Sequence, residues 1–218
     1  MGLIVNGKWV DQWYETNKSK GEFVRQDSRF RDQISSEEGN LFQPEVGRYH
    51  LYVSLACPWA HRTLIFRKLK QLEDVISVSI VEAEMMENGW EFGENGDPLY
   101  QLNYAYQLYL KADPSYQGRV TVPILWDKKT QTIVNNESVE IIRLFNSAFN
   151  ELTGNVDDYF PLTQREEIET VNARIYDTIN NGVYKAGFAS TQAAYNDAYH
   201  TLFDSLDWLE ERLSKQRY

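Results

Sequence analysis

The sequence contains very little cysteine and histidine. Cys57 is the single cysteine among 218 residues, so no disulfide can close within the chain, and the framework of a small secreted protein is excluded. A reducing, cytoplasmic location is therefore expected. The three histidines, His50, His61 and His200, do not combine with Cys57 in any spacing typical of metal ligands, so we expect no metal.

Excess basic charge and long apolar runs are also missing. The formal net charge is −10, whereas nucleic acids and anionic membranes select for a basic protein face, so neither is an expected partner. No apolar run approaches the ~20 residues that span a bilayer. The first residues, MGLIVNGKWV, lack the basic segment and the long apolar core of a signal peptide. The expected location is again the cytoplasm.

Apolar and β-branched residues predict a βαβ unit early in the chain. A strand at 50–55 is followed by a helix from about Pro58 and by a second strand at 75–83. A crossover of this length makes the two strands parallel. The apolar side chains expected to face the core are those of Leu64, Ile65, Leu69 and Leu72, and the basic ones expected to face out are those of Arg62, Arg67, Lys68 and Lys70.

An irregular insertion follows, with one predicted helix near 100–111. Strands at 120–127 and 132–136 flank the polar sequence DKKTQ and predict a hairpin, and a helix at 138–149 comes next. The order strand, helix, strand, insertion, hairpin and helix is that of a thioredoxin fold.

The rest of the chain is predicted to be helical. Thr163 and Glu166 have the spacing of a capping box that begins one helix, and Gly182 is placed to end it. A second amphipathic helix is predicted from about Ser190 almost to the last residue.

Three segments follow from this pattern. Residues 1–46 form a polar extension that wraps a domain, residues 47–150 a thioredoxin-like domain, and residues 151–218 a helical domain. The fold class is therefore α/β plus all-α. The aromatic residues expected to dock the extension are Trp9, Trp13, Phe23 and Phe30.

Cys57 opens the sequence CPWA at the predicted turn between the first strand and the helix. Thioredoxin-type oxidoreductases have Cys-X-X-Cys at this turn. A sulfur at a helix N-terminus faces backbone N–H groups and the positive end of the helix dipole, which lowers a thiol pKa from about 8.5 toward neutral pH. His61 and Arg62 add positive charge nearby. The alternative is a cysteine that is only a small buried apolar residue.

Ala60 stands where a thioredoxin motif has its second cysteine. A disulfide formed on Cys57 must therefore be resolved by an outside thiol, and glutathione is the abundant one. The sequence predicts a glutathione-dependent monothiol reaction.

The segment Thr121-Val122-Pro123 begins the predicted hairpin. In thioredoxin-like proteins a cis-proline here turns the preceding backbone toward the active-site cysteine, and the backbone of Val122 would then pair with an extended thiol peptide as a strand does. The alternative is an ordinary proline at a strand edge.

The tripeptide Asn136-Glu137-Ser138 stands where the last helix of the thioredoxin-like domain begins. A helix start offers N–H donors to a carboxylate, and Glu137 can hold an amino group beside it. Together they would bind the γ-glutamyl end of glutathione. The alternative is an N-cap with no ligand.

Three stretches of the chain carry a family resemblance: SLACPWAHRTLIFRKLKQLE, GRVTVPILWDKKTQTIVNNESVEIIRLFNSAFNE and YDTINNGVYKAGFA. They resemble the glutathionyl-hydroquinone reductases, the Xi class of glutathione transferases, and the resemblance extends over essentially the whole chain. It implies a homodimer with a thioredoxin-like and an all-helical domain. It also implies that glutathione is the co-substrate and that a glutathionyl-hydroquinone is reduced to the hydroquinone through a Cys57–glutathione disulfide.

The resemblance also implies residue roles. Cys57 would be the nucleophile, and Tyr184, in a quinol pocket, the second catalytic residue. The residues implied to bind glutathione are Trp90, Arg119, Thr121, Val122, Pro123, Glu137 and Ser138.

The family continues with further helices where this sequence ends, so we expect a C-terminally short chain with a partial helical domain. Two other functions are compatible with the residues. One is an omega-type thiol transferase that reduces dehydroascorbate or small mixed disulfides, and the other is a glutathione-binding module without catalysis.

Overall fold

The computed structural model describes residues 2–216 and divides the chain into two compact units. The sheet unit comprises Met1–Trp13 and Asp27–Tyr159, and the helical unit comprises Tyr14–Gln26 and Phe160–Tyr218. The N-terminal segment, predicted as one extension through residue 46, thus contributes residues to both units. The domain limits at 46 and 150 stay predictions.

A four-stranded mixed sheet is the centre of the sheet unit. Its order is β4 (Ser77–Val81), β3 (Tyr49–Ser54), β6 (Ile124–Asp127) and β7 (Thr132–Asn135). Strand β3 is parallel to β4 and antiparallel to β6, and β6 is antiparallel to β7. The parallel pair and the hairpin confirm the thioredoxin-like prediction.

The N-terminal segment adds a second sheet that the sequence analysis missed. Strands β1 (Leu3–Val5) and β2 (Lys8–Val10) form a hairpin, and β1 also pairs with β5 (Gly118–Arg119). Asn6 and Gly7 have φ values of 50° and 73°, which is the backbone of a two-residue hairpin turn. The Asn-Gly pair was the signal for this hairpin.

The described residues of the sheet unit form four α-helices: α1 (Pro58–Leu69), α2 (Ala105–Ala112), α3 (Ser138–Ser147) and α4 (Asn150–Thr153). The predicted helix near 100–111 therefore begins later, at Ala105. Before it, the buried carboxylate of Asp97 accepts the backbone N–H groups of Leu99 and Tyr100 at 3.0 and 2.7 Å, which fixes a turn there.

The predicted faces of α1 are partly wrong. Lys70, expected to face out, is only 1% exposed, and its Nζ donates to the carbonyl groups of Asn155, at 3.2 Å, and Asp157. Ile65 and Leu69, expected to face the core, are exposed. The segment after α4 supplies the carbonyl acceptors that make the buried ammonium tolerable.

Aromatic side chains fill much of the core. The largest fully buried ones are those of Trp126, Tyr49, Tyr52, Tyr109, Phe145 and Phe149. Their polar atoms are hydrogen-bonded where they are buried, as the Trp126 indole N–H shows by donating to the Tyr100 hydroxyl at 2.9 Å.

The helical unit contains α5 (Arg165–Ile175), a π-helical turn (Tyr176–Asn180), α6 (Gly182–Gly187) and α7 (Gln192–Lys215). Two predictions about it are wrong. Helix α5 begins at Arg165 with Gln164 as its N-cap, so Thr163 does not form a capping box. Gly182 begins α6 instead of ending a helix, because the π-helical turn already interrupts the predicted one.

Helix α7 has a proper N-cap but buries few residues. The Thr191 hydroxyl accepts the Ala194 N–H at 3.3 Å. Only Ala194, Leu202 and Ser205 of the helix are buried. The remaining large apolar side chains of its predicted stripe are exposed or half-buried.

Candidate active site

Cys57 is the N-cap residue of α1. Its backbone is extended, its N–H donates to the Ser54 carbonyl at 3.1 Å, and its own carbonyl accepts the His61 N–H at 3.0 Å. Pro58 occupies the first turn, where a missing N–H costs no hydrogen bond. The partly buried thiol thus lies at the positive end of a twelve-residue helix.

The backbone of Val122 is in contact with this thiol. The Cys57 Sγ donates to the Val122 carbonyl at 3.6 Å, and the Val122–Pro123 peptide bond is cis. Thr121, one residue earlier, is hydrogen-bonded to the buried Tyr109 hydroxyl through both its N–H and its carbonyl. The structure therefore brings Cys57 together with the predicted segment 121–123.

Glu137 and Ser138 lie at the start of α3. Glu137 is the N-cap and its carboxylate accepts the Val139 N–H at 3.5 Å and the Ser28 hydroxyl at 3.1 Å. The Ser138 hydroxyl accepts two N–H groups of Arg62, from Nε at 3.0 Å and from Nη2 at 2.6 Å.

Arg62 therefore connects the starts of two helices, α1 with the thiol and α3 with the predicted γ-glutamyl site. It also lies 3.9 Å from the Glu137 carboxylate, and its guanidinium is 5.3 Å from the ring centroid of Trp59. The sequence analysis placed Arg62 on the outer face of the helix and noted only its charge. The contact with Ser138 spans 76 residues of sequence, and no local pattern predicts it.

Two other predicted residues have different surroundings. The Arg119 guanidinium donates to the carbonyl groups of Gln12 and, at 2.9 Å, Trp13. Trp90 is buried in the hydrophobic core, and its carbonyl accepts the Ala105 N–H at 2.9 Å. None of these contacts involves the start of α1, so a glutathione-binding role for Arg119 and Trp90 stays a prediction.

Tyr184 lies on α6 within an aromatic cluster of the helical unit. Its ring stacks on Phe23 with centroids 6.0 Å apart and lies 5.8 Å from Phe188. The Arg25 guanidinium is 4.8 Å from the Tyr184 centroid, and Arg25 Nε donates to the Asn181 side chain at 2.6 Å. Phe23, expected to dock the extension, does so here.

Among residues 2–216, no group of three or more His, Cys, Asp or Glu side chains is arranged to hold a metal ion. Over the same residues, no helix is both long enough and apolar enough to cross a membrane.

Residues 56–148 match the family model described as glutathione S-transferase, N-terminal domain. This segment contains the thiol, the cis-proline and the start of α3. The class of protein that the fold and the site define is thus a glutathione transferase with a thioredoxin-like domain.

Among glutathione transferases, the chain is similar to two glutathionyl-hydroquinone reductases. The chain is 54% identical over 229 residues to the glutathionyl-hydroquinone reductase YqjG of Escherichia coli and 53% identical over 222 residues to the glutathionyl-hydroquinone reductase PcpF of Sphingobium chlorophenolicum. Both alignments cover 100% of this chain and 70% of the relative. Another relative is the glutathione S-transferase omega-like 2 of Schizosaccharomyces pombe, 54% identical over 90% of this chain and 65% of that protein.

Solved structures of Xi-class and related glutathione transferases have the same fold as this chain. The Xi glutathione transferase of Phanerochaete chrysosporium superposes with a TM-score of 0.87 at 53% identity, covering 92% of this chain and 66% of that one. The glutathione-bound structure of E. coli YqjG gives a TM-score of 0.83 at 55% identity, covering 87% and 65%. This chain belongs to the Xi-class glutathione transferases, the glutathionyl-hydroquinone reductase family, and it spans about two thirds of the length of these solved relatives.

Proposed function

We propose that this protein reduces glutathionyl-hydroquinones to hydroquinones, with glutathione as the reductant and Cys57 as the nucleophile. The observation that carries the proposal is the position of the Cys57 thiol at the N-terminus of α1, against the Val122 carbonyl, in a chain with no second cysteine. A thiol in this place can attack sulfur but cannot form an internal disulfide.

The first half-reaction transfers glutathione to the enzyme. The Cys57 thiolate attacks the sulfur of the glutathionyl-hydroquinone, an S–S bond forms, and the bond between that sulfur and the aromatic carbon breaks. The electron pair of the broken bond stays on the carbon, which takes up a proton. Hydroquinone leaves, and Cys57 is held as a disulfide with glutathione.

The second half-reaction regenerates the thiolate. A second glutathione thiolate attacks the glutathione sulfur of the mixed disulfide, and glutathione disulfide leaves. The net change is one carbon–sulfur bond reduced and two glutathione sulfurs oxidised to one disulfide. The helix dipole of α1 stabilises Cys57 as the thiolate in both steps.

Glutathione is proposed to bind along the two backbone segments that flank the thiol. The Val122 backbone would pair with the cysteinyl part of the tripeptide as a neighbouring strand does. Glu137 and Ser138, at the start of α3, would hold the amino and carboxylate groups of the γ-glutamyl residue. The further proposed glutathione contacts are Trp90, Arg119, Thr121 and Pro123.

Tyr184 is proposed as the donor of the proton that the leaving aromatic carbon or its oxygen requires. Its ring is held between Phe23, Phe188 and Arg25, which restricts the direction of the hydroxyl. The further proposals for the whole protein are a cytoplasmic location and a homodimer.

The alternative function is that of an omega-type thiol transferase, because one relative is named glutathione S-transferase omega-like 2. An omega-type thiol transferase would use the same cysteine on dehydroascorbate or on small mixed disulfides. A glutathione-binding module would bind glutathione and turn over neither substrate.

The experiment compares substrates at a fixed concentration of reduced glutathione. Release of hydroquinone from a glutathionyl-hydroquinone is expected to exceed reduction of dehydroascorbate, and Cys57→Ser is expected to lower it at least about a thousandfold because the nucleophile is lost. Faster turnover of dehydroascorbate than of the glutathionyl-hydroquinone would favour an omega-type thiol transferase. Glutathione binding without turnover of either compound would favour the binding module.

A further inference from the structure

The hydroxyl group of Tyr109 is hydrogen-bonded to two separate segments near the proposed glutathione site. Tyr109 lies on α2 and has no exposed surface. Its hydroxyl donates to the Thr121 carbonyl at 2.9 Å and accepts the Thr121 N–H at 3.2 Å and the Asn136 side-chain N–H at 3.0 Å. These bonds use the one donor and the two acceptor positions that a phenol hydroxyl offers, and the Thr121 hydroxyl lies a further 3.3 Å from the same oxygen.

The two partners of this hydroxyl belong to the two different segments that are proposed to hold glutathione. Thr121 directly precedes Val122, whose carbonyl is in contact with the Cys57 thiol. Asn136 directly precedes Glu137, the N-cap of α3. A single buried oxygen thus lies between the segment for the cysteinyl part and the segment for the γ-glutamyl part of the tripeptide.

Phe30, in the N-terminal segment, is hydrogen-bonded to Asn136 and packs against Tyr109. The Phe30 N–H donates to the Asn136 side-chain oxygen at 3.2 Å, and the backbone N–H of Asn136 donates to the Phe30 carbonyl at 3.0 Å. The Phe30 ring packs edge-on against Tyr109 with centroids 5.9 Å apart. The side-chain amide of Asn136 is therefore bonded at both ends, its oxygen to the Phe30 N–H and its nitrogen to the Tyr109 hydroxyl.

We propose that Tyr109 is a positioning residue for glutathione binding. Its hydroxyl sets the distance between the backbone at Val122 and the start of α3 because it is bonded to the residue before each of them. The proposal rests on the proposed glutathione site. Tyr109 is not expected to contact glutathione, because it is fully buried and its hydroxyl is hydrogen-bonded to Thr121 and Asn136. Burial raises the pKa of Tyr109, so the hydroxyl stays neutral and does not exchange protons with the substrate.

The test is the affinity of the Tyr109→Phe variant for reduced glutathione, measured by calorimetric titration of the 218-residue chain. The variant keeps the ring and its packing but loses every hydrogen bond of the hydroxyl to Thr121 and Asn136. The dissociation constant is expected to rise at least about fivefold, the equivalent of one net hydrogen bond. Unfolding in urea is measured in parallel.

Tyr49→Phe is the matched control. Tyr49 is equally buried, its hydroxyl donates to the Gln43 carbonyl at 2.7 Å, and it lies at the end of β3 away from Cys57. This variant is expected to lose stability without losing glutathione affinity. If Tyr109→Phe does not fold, Asn136→Ala removes the amide that donates to the same hydroxyl and is expected to raise the dissociation constant as well.

The outcomes separate the two proposals. An unchanged dissociation constant in Tyr109→Phe, with normal binding by the unmodified chain, overturns the positioning role and leaves the proposed function intact. An equal loss of affinity in Tyr49→Phe also overturns it, because the effect then follows stability alone. Failure of the unmodified chain to bind glutathione overturns both proposals.

Discussion

Replacing Arg62 by methionine tests the connection between α1, which carries Cys57, and the proposed γ-glutamyl site at the start of α3. Methionine keeps the aliphatic part of the side chain but removes the charge and the guanidinium that lies 5.3 Å from the Trp59 ring centroid. The two hydrogen bonds to the Ser138 hydroxyl share one acceptor, and bonds to a charged group contribute about 1.5–3 kcal/mol. The Arg62 side chain is 27% exposed, so the lower end of this range applies, and the 3.9 Å pair with Glu137 adds little.

A loss of about 1.5 kcal/mol at this contact corresponds to roughly a tenfold rise in the dissociation constant of glutathione. The assay is calorimetric titration with glutathione and with an analogue that lacks the γ-glutamyl carboxylate. The loss is expected for glutathione and much less for the analogue, because the Ser138 hydroxyl and the Arg62 charge are expected to act on that carboxylate.

Arg67→Met is the control for this prediction. Arg67 lies on the same helix and donates to the carbonyl groups of Ile76 and Glu73 at 2.7 and 3.0 Å, with no contact to α3 among those described. Equal weakening of glutathione and its analogue by Arg62→Met, or an equal effect of Arg67→Met, would refute the reasoning.

Two further predictions concern stability. Burial lowers the pKa of His50 to about 4, below its ordinary value of 6.5, so the unfolded state binds more protons and stability falls as pH drops from about 6.5 to 4. His50→Gln is expected to remove up to about 3 kcal/mol of this pH dependence in urea unfolding, and an unchanged slope would contradict the account. The carboxylate of Asp127 pairs with Arg48 through two hydrogen bonds of 2.9 and 2.7 Å, and the side chains of Arg48 and Asp127 are 3% and 0% exposed. Arg48→Met is therefore expected to lower the free energy of unfolding in urea by about 3–5 kcal/mol, because it leaves a buried carboxylate without its partner. A loss below about 1 kcal/mol would contradict the assignment of a buried ion pair.

The thioredoxin-like order of elements was predictable because its signals are local. Runs of β-branched residues mark β4 and the β6–β7 hairpin, and a proline after Cys57 marks the start of α1. The family resemblance added the chemistry that such patterns do not contain.

The errors arose where distant parts of the chain meet. Lys70 is basic and was expected to face solvent, but carbonyl groups 85 and 87 residues away satisfy its ammonium in a buried place. The pairing of β1 with β5 joins Leu3 to Arg119, and no local pattern gives such a register. The contact of Arg62 with Ser138 and that of Tyr109 with Asn136 also join residues far apart in sequence, 76 and 27 residues respectively.

The central claim is that Cys57 forms a covalent intermediate with glutathione, and a single-turnover experiment followed by mass spectrometry tests it most directly. The chain is mixed with one equivalent of a glutathionyl-hydroquinone and no glutathione. We expect one equivalent of hydroquinone and a chain heavier by one glutathionyl group on Cys57, which disappears when glutathione is added. Release of hydroquinone without this adduct, or undiminished release by Cys57→Ser, would contradict the account.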